Sequence, residues 1–587
     1  MPDTMGMIQR ASTFVPADLD ATRIDAVEAL ALSLARRPVK SAKELEAWLL
    51  DRSDLDAACS EARANLYIDM TCDTQDAAAR DAYLAFVENV QPRLTALGFD
   101  LDTRQTELMK AYPLDAGRYG VLERSVRADV ELFREENIPI QTALDRLAQR
   151  YDEINAAMMV PFDGREQTLP QMSRYLEVTD RGVREKAWRV VAERRAQDRD
   201  ALHAIYEEMV PLRTRQARNA GFDSYVGFAF KSKHRFDYGP DECRAFHDGV
   251  ARAIMPLTRA LDEQRRKNLG VDRLRPWDFS VDEHGREPLR PFEGGRELVA
   301  KSVAAMRSLD PRLAAMLSEL GDGGNTSGAK TGACLDLDSR KGKAPGGYQY
   351  IRDRSQKNFI FMNAAGTQRD VTTMVHEAGH AFHSRLCHHE PLLAYRHSPT
   401  EFAEVASMSM EMLSMRHWDA RGSFYEGRAE DQARAAREQI QRSISLLPWV
   451  ATIDAFQLWV YDHPTHTREE RTRAWLDLDA RFGSGADWSG LEDVRAAMWQ
   501  RQLHLFTHPM YYIEYGIAML GSLQLWVRSL EEGETTAIDA YLNALSLGGS
   551  KPLPELFRAA GLVFDFGYDT LARLAARVTK ELEKVAG

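Results

Sequence analysis

Cysteine is scarce in this chain. Five occur in 587 residues, at Cys59, Cys72, Cys243, Cys334 and Cys387. None forms a C-x-x-C pair, so neither a disulfide framework nor a cysteine-ligated zinc site is indicated. Long apolar runs are missing as well. No stretch is long enough to span a bilayer, and the opening MPDTMGMIQRASTFVPADLDATR has no apolar signal-peptide core. Cytoplasm is the compartment these two absences lead one to expect. Basic blocks are the third absence. With a net charge of −12, the chain is not expected to take nucleic acid or an anionic membrane as its main partner. No internal repeat is evident.

What remains is ordinary for a water-facing globular protein: 44% hydrophobic and 28% charged residues. The length allows two or more lobes. Residues 19–216 read as charged amphipathic helices, for example 42–50, 55–68, 74–97 and 183–197, interrupted between 112 and 172 by turns or a short extended excursion. No chemistry is visible there. We therefore expect an N-terminal helical lobe over 1–200 and a catalytic domain over 201–587. Two helices are expected across 201–264, with His234 in solvent. Asp278, Asp282 and Glu283 in the loop after Gly270 contribute only charge. Residues 321–347, rich in Gly, Ser and Lys, read as the most mobile segment, either a surface loop or a lid beside a cleft. Two short strands follow at 347–351 and 358–363.

Next comes VTTMVHEAGHAFHSRL, residues 371–386, a helix capped by Asp370 or Thr367 with Val371, Met374, Val375, Ala378 and Phe382 as its apolar face. It contains His376-Glu377-Ala378-Gly379-His380, an H-E-x-x-H motif. Residues four apart share a helix face, so His376 and His380 can aim at one ion. Glu377 projects about 100° away and suits a general base acting on water. A catalytic zinc wants three protein ligands and one open position. The downstream candidates are His383, His388, His389, His397, Glu390, Glu401, Glu404 and Glu411. The helix PTEFAEVASMSMEMLSM, 399–415, places Glu401, Glu404 and Glu411 on one stripe among methionines, where unpaired acids are costly to bury. Glu404 is the chosen ligand. Glu401, Glu411 and His383 are expected to surround the histidines and orient them. Farther on, Pro509 suits a helix start, with Tyr511, Tyr512 and Tyr515 following. Tyr512 and Tyr515 share a face. Small residues Gly516, Ala518 and Gly521 imply close helix packing.

Three stretches together carry a resemblance: HEAGHAFH at 376–383, EFAEVASMSME at 401–411 and HLFTHPMYYIEYG at 504–516. They resemble the thimet oligopeptidase and oligoendopeptidase F family of zinc metallopeptidases, and the bacterial oligoendopeptidase branch most closely. The likeness runs from about residue 201 to the C-terminus and includes AGFDSYVGFAF and RFDYGPDECRAFHDGV. It implies a mainly helical fold in two lobes around a deep channel, with a zincin-type core and a small sheet. It implies one zinc per chain on His376, His380 and Glu404, with Glu377 as base. His504, Tyr512 and Tyr515 would stabilise the oxyanion, Tyr511 being the alternative first tyrosine or a substrate contact. Strands ahead of the motif helix resemble the zincin order, in which an edge strand takes an extended peptide. Gly346, Gly347 and Tyr348 are assigned that task. The implied reaction is metal-assisted hydrolysis of internal bonds in short unstructured peptides, zinc lowering the pKa of water to roughly 7. A peptidyl-dipeptidase or carboxypeptidase of the same clan, and an inactive peptide-binding homologue, are the other readings. Oligomeric state stays open. Cys387 reads as a packed thiol rather than a redox site.

Overall fold

The computed structural model describes residues 13–324, 328 and 332–585. Helices dominate them, with five short strands in two sheets. The N-terminal helices, among them Ile24–Arg36, Ala42–Cys72 and Gln91–Ala111, close around Leu34, Leu45, Trp48, Leu97 and Leu108. Leu392 and Tyr395, just beyond the motif helix, belong to the same cluster and tie the lobes together. The large core divides from it well before residue 201: Leu132, Ile140, Leu144 and Tyr151 already pack in the cluster that holds the motif helix. The excursion expected between 112 and 172 is mostly helix (Ala116–Leu132 and Asn137–Ala156). A hairpin of β1 (Met159–Phe162) and β2 (Arg165–Thr168) follows, turning at Asp163-Gly164, both at positive φ.

The second sheet positions the site. Its order is β3 (Leu335–Asp338), β5 (Lys357–Ala364), β4 (Tyr348–Arg352), with β3 parallel and β4 antiparallel to β5. β4 and β5 match the two expected strands. β3 was not expected: it lies in the segment read as a loop, because four residues of LDLD bounded by Gly-rich and Ser-rich chain carry too little pattern. Parts of that segment, 325–327 and 329–331, and the N-terminal residues 1–12 lie outside the described residues.

β5 leads into the motif helix Gln368–Leu386, which Thr367 caps: its hydroxyl accepts from Asp370 N (3.3 Å), and the Asp370 carboxylate accepts from Thr367 N (2.8 Å). The acid-bearing helix Thr400–Ser414 crosses it at Gly379, where a Cβ would stand 2.6 Å from the Ala406 carbonyl oxygen. On its other side it packs against Ile513–Glu531. There a Cβ at Gly521 would meet Val405 Cγ2 at 2.7 Å, which accounts for the small residues in that helix. The helix Ala429–Asp462 alone among the described helices is long and apolar enough for a membrane span, and 72% of its most apolar 18-residue stretch is buried in this core.

Candidate active site

His376 and His380 lie one turn apart on the motif helix, their ring centroids 5.0 Å apart. Glu404 reaches them from the crossing helix. Its Oε2 is 3.5 Å from His376 Nε2 and 3.8 Å from His380 Nε2. Those separations are long for direct hydrogen bonds. They suit three ligands around one ion: bonds of about 2.05 Å in a tetrahedron put ligand atoms roughly 3.3 Å apart. All three ligand atoms lie within 4.8 Å of one another. The donor set therefore fits zinc.

Each candidate ligand is braced from behind. His376 Nδ1 bonds Glu411 Oε1 at 2.7 Å, and Glu411 Oε2 accepts from Gln439 Nε2 at 2.8 Å. The His380 ring is held by the Ala403 carbonyl. Ser407 Oγ donates to Glu404 Oε2 at 3.0 Å. Burial works against charge on His376, yet Glu411, Glu404 and Glu377 push its pKa up to about 10. Burial and the neighbouring His376 charge pull His380 down to about 3. Acids crowded around two imidazoles thus hold positive charge between them.

The other expected partners turn away. Glu401 accepts from Tyr238 Oη at 2.6 Å and faces Arg235 at 3.8 Å, so it does not orient the histidines as expected. Its spacing put it on the stripe, but its position in the first turn swings it toward a different neighbour. His383 packs edge-on to Phe402, and burial pulls its pKa down to about 3. It too makes no described hydrogen bond to a ligand. His397 bonds Asp353, and Glu390 pairs with Arg118. Cys387 donates to the Leu545 carbonyl in the core, its thiol pushed up to about 12 by burial.

Glu377, next along the motif, is 7% exposed, and burial pushes its carboxyl up to about 7. It accepts from the backbone N–H of Gln349 in β4. β4 pairs only with β5 among the described strands, leaving its other edge toward the site. Gly346 is exposed, with nothing within 4 Å of where a Cβ would stand. Gly347 instead packs on its sheet partner, a Cβ meeting the Phe361 carbonyl at 3.3 Å. The Tyr348 ring stacks on Phe361 and its hydroxyl bonds Thr71, so its side chain supports the strand and only its backbone lies on the open edge.

The tyrosines come from the far end of the chain. The helix starts at Ile513, not at Pro509 as expected; Pro509 and Met510 form a turn before it. Met510 has a positive φ of 59°, a conformation costly for a long side chain. Gln457 accepts from its N–H (2.5 Å) and Arg235 donates to its carbonyl (2.6 Å). Arg235 is itself paired with Glu514 at 2.6 Å. This bend presents Tyr511 as well as Tyr515. Both phenols are raised by burial and then by the Glu404 carboxylate, and the two hydroxyls interact with each other. Tyr512 lies instead beside the Trp449 indole, whose N–H donates to Gln502. The three rings surround His504 at centroid distances of 5.5, 5.1 and 5.7 Å. Burial, His508 and Lys233 pull His504 down to about 4, so it is neutral. The Lys233 ammonium sits 5.2 Å over the Tyr511 ring.

Gln439, Ser407, Gln502 and the Gln349 N–H carry no mark in the sequence. They are neutral groups that matter only through their neighbours.

The chain is similar to several known proteins. Curated relatives include an oligoendopeptidase F homolog of Mycoplasma pneumoniae, 24% identical over 430 residues (69% of this chain, 66% of that protein). Another is oligopeptidase PepF of Bacillus subtilis, 23% identical over 333 residues (54% and 45%). The chain thus matches just under two thirds of the first relative's length and less of the second's. Among solved structures, PZ peptidase A with an inhibitor superposes with a TM-score of 0.85 at 25% identity, covering 98% of this chain and 99% of that one. Oligoendopeptidase F from Enterococcus faecium shares the fold with a TM-score of 0.63 at 14% identity, covering 96% and 97%. Residues 174–572, with both ligand helices and the tyrosine turn, match the model of peptidase family M3, and the chain belongs to that family.

Proposed function

We propose that this protein is a zinc-dependent endopeptidase that cuts internal bonds of short, unstructured oligopeptides. The observation that carries the reading is the convergence of His376, His380 and Glu404 within 4.8 Å, beside a buried glutamate and under two phenols. The names of the relatives, oligoendopeptidase F and oligopeptidase, support it.

A zinc ion held by His376, His380 and Glu404 would supply a Lewis acid that acidifies water and draws charge from the scissile carbonyl. Glu377 takes the proton of the attacking water and returns it to the leaving amine, held in place by the Gln349 N–H of β4. In this reading Tyr511 is the donor to the Tyr515 oxygen, which leaves the Tyr515 hydroxyl proton for the carbonyl oxygen as charge builds there. An extended peptide pairs along the β4 edge at Gly346 and Gly347. A cavity of about 650 Å³ is lined by Arg52, Asp102 and Arg124 on one side and Lys233, His397 and Lys551 on the other; Lys233, over the Tyr511 ring, is its nearest described approach to the site.

Glu377→Gln keeps the shape and removes the base. We expect metal content and fold like the parent and activity lower by several orders of magnitude on a peptide library read by mass spectrometry. An active Glu377→Gln protein would refute the mechanism. The parent should cut inside unfolded peptides and leave a stably folded protein intact. Products trimmed only as C-terminal dipeptides would favour the peptidyl-dipeptidase reading.

A further inference from the structure

His504 is held from behind by a side chain whose orientation can be deduced. Gln502 sits at the N-cap of the short helix Leu503–Thr507, two residues before His504. One end of its amide meets the Trp449 indole Nε1 at 2.9 Å, and the other meets His504 Nδ1 at 2.7 Å. An indole N–H only donates, so the amide end facing Trp449 must be the oxygen. The end facing His504 is then the NH₂, which only donates. Nδ1 must accept. A neutral imidazole that accepts at Nδ1 carries its proton on Nε2, and an imidazolium would set N–H against N–H. Trp449 belongs to the long buried helix Ala429–Asp462, so the outer anchor of this relay is rigid.

We propose that Gln502 is a positioning residue that locks His504 as its neutral Nε2–H tautomer, keeping one proton aimed outward as a donor to the substrate carbonyl. The inference rests on the proposed peptidase reading, in which His504 joins Tyr515 as an oxyanion donor. The neutral state of His504, with its pKa pulled to about 4, agrees with the lock. Without it, the two tautomers would interconvert, and the Nδ1–H form would present a bare lone pair to the developing negative charge.

Gln502→Glu tests the relay with little change of shape. The carboxylate accepts from Trp449 and, unlike the amide, also accepts from an Nδ1–H. Neutral His504 would then have a bare Nε2, and only its imidazolium would still donate there. The variant-to-parent kcat ratio should therefore fall as pH rises through the His504 pKa, to about 10⁻² at the alkaline end, with KM near the parent value. A pH-independent ratio would overturn the proposal. In a His504→Phe background Gln502→Glu should cost nothing more; a persisting loss would show that Gln502 acts elsewhere and would also overturn it.

A second readout needs no variant and no turnover. ¹⁵N-histidine NMR of the zinc-loaded parent, with His504 assigned by its loss in His504→Phe, should show the Nε2–H tautomer. An Nδ1–H signal would sink the lock alone. Full kcat in His504→Phe would sink the donor role, a separate failure that leaves the tautomer result standing.

Discussion

Glu401 and Glu411 lie on one helix stripe, yet only one of them touches a candidate ligand. Glu411 bonds His376 Nδ1 at 2.7 Å, whereas Glu401 bonds Tyr238. A carboxylate behind a ligating imidazole fixes its orientation and raises its basicity. Glu411→Gln should thus weaken zinc retention about 10–100-fold in chelator competition. Glu401→Gln should leave retention near the parent value. Equal loss in both would undo the distinction. The tyrosines divide in the same way. Tyr515→Phe should lower kcat about 10²–10³-fold with KM nearly unchanged, because the missing donor acts only as charge develops. Tyr511→Phe should cost less, as it acts through Tyr515, and Tyr512→Phe least, since its hydroxyl faces Trp449. A Tyr512→Phe defect as large as that of Tyr515→Phe would reverse the assignment. Which tyrosine faces Glu404 could not be read from spacing. Residues 511 and 512 precede the helix, and the positive φ of Met510 sets their directions.

At the scale of elements, the candidate metal site is a crossing of two helices, and Gly379 sets how near they come. A Cβ there would lie 2.6 Å from the Ala406 oxygen and 2.6 Å from Ser407 Cα, both backbone atoms that cannot swing aside. Gly379→Ala should destabilise the protein by about 1–3 kcal/mol in chemical denaturation, as overpacking does. It should also loosen zinc, because His380 and Glu404 sit on the two helices being parted. Gly120→Ala is the control. Gly120 lies in the helix Ala116–Leu132 with nothing within 4 Å of a Cβ, so alanine should be neutral or stabilising by about 0.5–1 kcal/mol. Two equally harmless substitutions would show that the crossing can yield. The motif helix, its cap and both flanking strands were legible in the sequence because each has a local cause: a capping pair, an apolar face, an aromatic run. β3 was not legible. Its four residues become a strand only because β5 offers a parallel edge.

For the whole molecule, acid is a weakness built into buried histidines far from the candidate metal site. His203 is 5% exposed, and Arg471 donates to its Nδ1 at 3.0 Å. Burial and the adjacent Arg471 charge pull its pKa from 6.5 to about 4. The folded state therefore binds this proton less readily than the unfolded state. Its stabilising contribution is complete above pH 6.5 and declines as pH falls toward 4. His203→Gln keeps an acceptor for Arg471 and cannot titrate, so its stability should decline less steeply across that window. Superimposable parent and variant stability curves would remove His203 from the account. The contact joins the helix Arg199–Asn219 to Arg468–Phe482, remote segments of the chain.

The sequence by itself determined the parts whose chemistry is local. Two imidazoles four residues apart must share a helix face, a glutamate between them must point elsewhere, and an acid stripe among methionines must find a cation or a partner. Those relations are set by 3.6 residues per turn and by the cost of burying charge, and they hold before any tertiary contact forms. Tertiary structure alone decided which acid stands behind His376, which tyrosine meets Glu404, and which tautomer His504 holds. Each of these depends on a neutral group, Gln439, Met510 or Gln502, whose identity says nothing until folding brings it within hydrogen-bond reach of a residue far away or turns the backbone beside it.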